Sequence, residues 1–166
     1  MSIFDSTTEA PLPKTRDAKR IALFYAGVLL IMAVAQLFTF DTFLTLVTGF
    51  GFPGGVQYAH FLAAFLIVCE VFALPFLLRM RLSVAFRWVS MVFGWLAAVI
   101  WIKITVWLVV QDGVTDNVGF LGTVAPTMPG WWAIFMAIVF GILAGWASWG
   151  LWPRRSGTKE VSKRKK

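Results

Sequence analysis

The stretch from Phe61 to Arg81 reads FLAAFLIVCEVFALPFLLRMR. Between Phe61 and Leu78 only Glu70 prefers water to oil, and Arg79 and Arg81 then close the run. A helix of about 20 apolar residues, rising ~1.5 Å per residue, covers the ~30 Å of hydrocarbon in a bilayer. The run has that length, and its arginines stand where a membrane boundary would fall. A barrel strand would alternate polar and apolar side chains over ~10 residues. Here both faces are oily, which points to a helix that satisfies its own backbone in lipid.

Outward from this run the pattern repeats. Spans are expected at Ile21–Phe40, Ala59–Leu78, Trp88–Val110 and Trp131–Trp152. The chain is 59% hydrophobic and 14% charged, far too oily for a water-soluble domain of 166 residues. The expected fold class is all-α, an integral membrane four-helix bundle. One four-span domain, residues 20–152, lies between a polar tail, 1–19, and a basic tail, 153–166. Ala33-Val34-Ala35 resembles a signal-cleavage site, but the apolar run continues to Phe40, so the first span is expected to be retained.

The net charge of +7 sorts by position. Lys14, Arg16, Lys19 and Arg20 precede the first span. Arg79, Arg81 and Arg87 lie between the second and third. Arg154, Arg155, Lys159, Lys163, Arg164, Lys165 and Lys166 follow the fourth. The two remaining loops hold no Lys or Arg and carry Asp41, Asp112 and Asp116. The positive-inside rule therefore predicts an N-in/C-in protein of a bacterial inner membrane, both termini cytoplasmic. This sorting replaces the nucleic-acid reading that a basic soluble chain would invite. The basic tail is a topology signal that also suits anionic lipid headgroups.

The first outer loop is not an ordinary polar connection. Phe43, Leu46, Val47 and Phe50 fall at i, i+3, i+4 and i+7, one helical face. A short interfacial helix and a simple extension of the first span both fit this spacing. The second outer loop, QDGVTDNVGFLGTVAPTMPG, is long and turn-rich. It suits either a cap on the bundle or a docking site for a partner. Trp107, Trp131 and Trp132 fall near the outer interface, and Trp88, Trp149 and Trp152 near the inner one. Trp95, Trp101 and Trp146 lie deeper and read as packing.

Glu70 lies roughly 16 Å along its helix from the outer end. A charged carboxylate there costs at least ~2.5–3.5 kcal/mol by insertion scales, so it has to be protonated, paired or hydrated. At 100° per residue, Ala59, Ala63 and Leu66 share its stripe, so it should face the other helices. Pro75 frees the carbonyl of Val71 and should kink the helix, making room for a water or a ligand. Lys103 is the obvious cation, some ~9 Å nearer the outside. Its phase opposes the pairing, because it falls about 140° from the small stripe of Ser90, Gly94, Ala98 and Thr105. Snorkelling to the surface or contact with another subunit are its alternatives. Gln36 and His60 complete a candidate polar cluster of Gln36, His60, Glu70 and Lys103 opening outward. Gly141 and Gly145 form a GxxxG pattern, a helix-packing signal that serves either the bundle or a partner. One His and one carboxylate are too few ligands for a tight metal site. Cys69, alone, makes neither a disulfide nor a CxxC pair.

These features resemble the DoxX/MauE group of small four-helix membrane proteins. The likeness rests on the first span, the FGFPGG loop, FLAAFLIVCEVFALPFLLRMR with its mid-span glutamate, and FRWVSMVFGWLAAVIW after a basic turn. It covers about residues 21–110. The resemblance implies a role in quinol- or thiol-linked redox assemblies, with Glu70 in the place of the family's glutamate. Two features depart from that pattern: VFALPFLL stands where a glycine-rich run often follows the glutamate, and Gln36 stands where a basic residue is expected.

No catalytic constellation is visible. The expected function is a non-catalytic accessory or assembly subunit of a larger membrane complex, redox or energy-converting. A quinone-interacting subunit is one alternative, because a quinone needs only an oily slot and one or two hydrogen-bonding groups. A proton- or cation-coupled transporter is the other, and it would work as an oligomer. Expected partners are the bilayer and either another membrane subunit or further copies of the chain. No cofactor is evident beyond a quinone.

Overall fold

The computed structural model describes residues 12–111 and 115–152. Asp112, residues 1–11 and the basic tail from 153 onward, with the headgroup contacts expected of it, lie outside the described residues.

The described residues form five helices: α1 (Arg16–Phe38), α2 (Phe40–Gly49), α3 (Gly55–Leu77), α4 (Val84–Val110) and α5 (Trp131–Gly150). Among them there is no strand; an isolated bridge joins Leu121 and Ala125. α1, α3, α4 and α5 are long and apolar enough to cross a membrane, as a multi-pass membrane protein requires. Their packing follows from the chain order. α1 neighbours α3 and α5, and α4 neighbours the same two, so the four make an up-down-up-down square. Tyr25 spans one diagonal, its hydroxyl donating to the carbonyl of Gly94 at 3.0 Å.

Local chemistry sets the helix ends. α1 starts at Arg16, ahead of the expected Ile21, because the Thr15 hydroxyl accepts from the backbone N–H of Ala18 at 3.1 Å. Ser83 caps α4 in the same way, accepting from Phe86 at 3.2 Å. α3 ends in a Schellman turn: Met80 N–H donates to Pro75 and Arg79 N–H to Phe76. Arg79 there takes φ 57°, a left-handed conformation that glycine usually supplies.

The first loop resolves the choice its spacing left open. α2 is a separate helix, broken from α1 at Thr39. Its Phe43 and Val47, with Phe50 just beyond, are buried, while Asp41, Thr42 and Thr45 are exposed. It packs on α3, and Phe50 offers its carbonyl to the indole N–H of Trp107 at 2.9 Å.

Beside Pro75 a side chain from α4 enters the backbone of α3. Phe76 N–H donates to the Ser90 hydroxyl at 3.0 Å, and that hydroxyl donates to the Phe72 carbonyl at 2.6 Å. A side chain from α4 thus bridges the backbone pair beside the proline, where a water or ligand was expected.

Candidate functional site

The expected phase of α3 is observed. Ala59, Ala63, Leu66 and Glu70 are all buried. Two helices then converge on the Glu70 carboxyl, and one of them links it to the loop before α5. α4 supplies the indole of Trp101, whose N–H donates to Glu70 Oε1 at 2.8 Å. α1 supplies Gln36, whose Nε2 donates to the same oxygen at 3.4 Å. The second N–H of that amide reaches the loop before α5, donating to the carbonyl of Phe120 at 3.0 Å. Gln36, Glu70 and Trp101 are each buried to within 1% of complete.

Phe120 closes the site. Its ring lies 4.6 Å from that of Trp101 and meets Phe140 of α5 edge-on at 5.5 Å. The loop that carries it is built, not slack. Asn117 Oδ1 accepts from the N–H groups of Gly119 and Thr127, and its Nδ2 donates to Gly122. Val118 N–H donates to Thr127 at 2.7 Å. Gly122 takes φ 58°, and a Cβ there would press on the Thr39 hydroxyl at 2.5 Å, so glycine lets the loop lie against the end of α1. Thr123 ties the loop to the same corner through Thr39 and Thr42. The described part of the loop lies over this end of the bundle, as the capping role the sequence allows would require.

The candidate cluster of Gln36, His60, Glu70 and Lys103 is therefore divided. Gln36 and Glu70 meet; His60 and Lys103 are exposed on the outside of the bundle. Lys103 lies on the face of α4 opposite Trp101, in line with exposed Val92, Val99 and Val106. No ion pair joins Lys103 to Glu70 among the described residues. Trp101 corrects the packing-only reading of the deeper tryptophans: it packs and it also donates to the carboxyl. Its phase signals that the ring is buried, but not where its N–H points. Gly94, Ala98, Trp101 and Thr105 share one stripe of α4, all buried.

Two buried oxygens, Gln36 Oε1 and Glu70 Oε2, have no hydrogen-bond partner among the described residues. No group of three metal-ligating side chains occurs among the described residues.

The packing residues also resolve. Gly94 faces Ala73 at ordinary contact distance, 3.5 Å from an added Cβ, and Ala98 is buried beside it on α4. Gly141 and Gly145 face side chains of α4, Ile102 and Trp95. Both stay partly exposed, with one side chain of α4 against each. The closest glycine approach among the described residues is Gly150, where an added Cβ would collide with Ala18. No family model, curated protein sequence or solved structure matches the chain.

Proposed function

We propose that this chain is a non-catalytic accessory subunit of a larger membrane complex, inserted N-in/C-in in a bacterial inner membrane. The orientation rests on the sorting of cationic residues to the loops and tails of one side. The four long apolar helices support insertion. The resemblance to the DoxX/MauE group supports a redox or energy-converting assembly.

One observation carries the reading. Lys103 is exposed on the outward face of α4, seven residues before its end, in a stripe that is otherwise aliphatic. A cation on a lipid-facing stripe is costly unless an acid or the headgroup layer receives it. Two copies of the chain meeting symmetrically on this face would oppose their lysines, which disfavours self-association there. A span of another protein, with a carboxylate at matching depth, relieves the charge and covers the valines. The buried polar centre supports the same assignment, because its polar side chains are engaged with one another and fully buried among the described residues.

The test is a photo-crosslinking residue placed at Val99 or Val106 in membranes. The expected product is a second membrane protein, crosslinked through a span that contains Asp or Glu. Lys103→Met should abolish that product while the chain stays folded. An unchanged product with Lys103→Met would reject Lys103 as the docking charge. Crosslinks to lipid alone at both positions would reject the subunit reading and leave Lys103 as a snorkelling side chain.

A further inference from the structure

The unpartnered oxygens in the polar centre belong to two side chains that already touch. Gln36 Nε2 donates to Glu70 Oε1, while Gln36 Oε1 and Glu70 Oε2 are left over. The orientation of the amide is not free. A carbonyl only accepts, so the group facing Phe120 has to be the NH2 of Gln36. Its oxygen is thereby held as a buried acceptor. If Glu70 were ionised, Oε2 would be a second buried acceptor with nothing to accept, and a full charge would sit among uncharged groups.

One proton removes both deficits. On Oε2 it turns that atom into a donor, and Gln36, whose side chain already touches Glu70, carries the unmet acceptor Oε1. Acid and amide then form a reciprocal pair: N–H to Oε1 in one direction, O–H to the amide oxygen in the other. Oε1 becomes the carbonyl of the acid and keeps both its donors, Trp101 and Gln36. Every polar atom of the centre is then satisfied, as buried groups in a low-dielectric interior require.

We infer that Glu70 is held as the neutral acid, and that its proton, through Gln36, keeps the 115–127 loop closed over this end of the bundle. The link is the single amide. Without the proton, Gln36 can turn its NH2 fully toward Glu70 only by presenting its oxygen to the Phe120 carbonyl, which cannot donate. The chain then loses either the acid–amide pair or the bond that holds the loop.

Among the described residues, the surroundings leave the proton no ionic competitor. α1 contributes Tyr25, whose hydroxyl is engaged with Gly94, and α3 contributes the buried thiol of Cys69. α4 presents Trp101 and Thr105 to the interior, while its Lys103 points away. α5 has no titratable side chain. Asp41 on α2 and Asp116 on the loop are exposed.

Infrared spectroscopy of the full chain in lipid nanodiscs at neutral pH reads the proton directly. The expected spectrum contains a protonated-carboxyl C=O band that shifts in deuterium oxide and vanishes in Glu70→Gln. That substitution places an amide N–H where the acid proton was and should preserve the centre. In Gln36→Met the band should move to higher frequency, since the acid loses its partner. Absence of the band from the wild-type spectrum, or its persistence in Glu70→Gln, overturns the proposal. The loop is read with Leu121→Cys on a Cys69→Ala background. Its maleimide labelling at high pH should be at least several-fold slower with Glu70→Gln added than without it. Equal rates would overturn the link between the proton and the loop.

Discussion

The two ends of the bundle are fastened by different chemistry. At the α2 end, side chains hydrogen-bond across elements: Gln36, Glu70, Trp101 and the loop carbonyl of Phe120 form one connected centre. At the opposite end, where the chain enters α1 and leaves α5, small residues let backbones approach. Gly150 sits against Ala18, and its carbonyl accepts from the N–H of Lys14 at 3.0 Å. Lys14 also lies over the Trp149 ring, and Trp88 meets Trp152 edge-on at 5.0 Å. Lipid tails are as apolar as leucine, so burying oil discriminates little between helix arrangements in a membrane. Polar satisfaction and close approach are the two remaining ways to fix one arrangement, and this chain weights them differently at its two ends.

The largest expected effect comes from breaking the polar end. Trp101→Ala removes a fully buried ring and the N–H that Glu70 receives. Reversible unfolding in mixed micelles should show a loss of about 3–5 kcal/mol, as for other large-to-small aromatic substitutions in cores. Trp101→Phe sharpens the result. It keeps a ring against Phe120 and deletes only the donor, so about 1–3 kcal/mol is expected. Equal losses for the two variants would show that the ring alone matters and the hydrogen bond does not.

This end was half legible in the sequence. The buried stripe of Ala59, Ala63, Leu66 and Glu70 followed from helical phase, because one carboxyl in an oily run has only one tolerable direction. Gln36 was visible for the same reason. Trp101 was not, since a tryptophan in a span is adequately explained by its hydrocarbon, and the aim of its N–H depends on a rotamer that spacing does not set. The Phe120 carbonyl leaves no trace at all, as every residue has one. Asn117, followed by Gly119 and Gly122, did carry a turn signal, but what the turn covers is tertiary. Lys103 and His60 looked like members of the cluster because they are polar and lie at a similar depth. Phase placed Lys103 on the other side of α4, and the structure agrees.

The close-packed end should respond to a single methyl group. Gly150→Ala places a Cβ where Ala18 already is, and neither backbone can yield without moving a helix. A loss of about 1–3 kcal/mol is expected, the range for overpacking in a dense interior. Ala18→Gly in the same chain should restore most of it, because it vacates the colliding atom. Failure of that rescue would place the strain elsewhere than in this contact.

The smallest effect belongs to the glycines that the sequence made most prominent. Gly141 and Gly145 have the spacing of a backbone-contact motif, yet an added Cβ would stand 3.6 Å from Ile102 and 3.5 Å from the ring of Trp95. These are ordinary van der Waals separations. The Trp95 indole passes over Gly145 on its way to the Ser148 hydroxyl, which it meets at 3.0 Å. A methyl group at Gly145 would extend that contact without displacing it. Alanine is also the better helix former by about 1 kcal/mol in a helix interior. The paired change Gly141→Ala, Gly145→Ala should therefore leave the unfolding midpoint unchanged or raise it. Analytical ultracentrifugation in detergent should show the same mass before and after. A drop in mass would mean that these glycines press against another chain, and that the contrast between the two ends of the bundle omits an interface along its side.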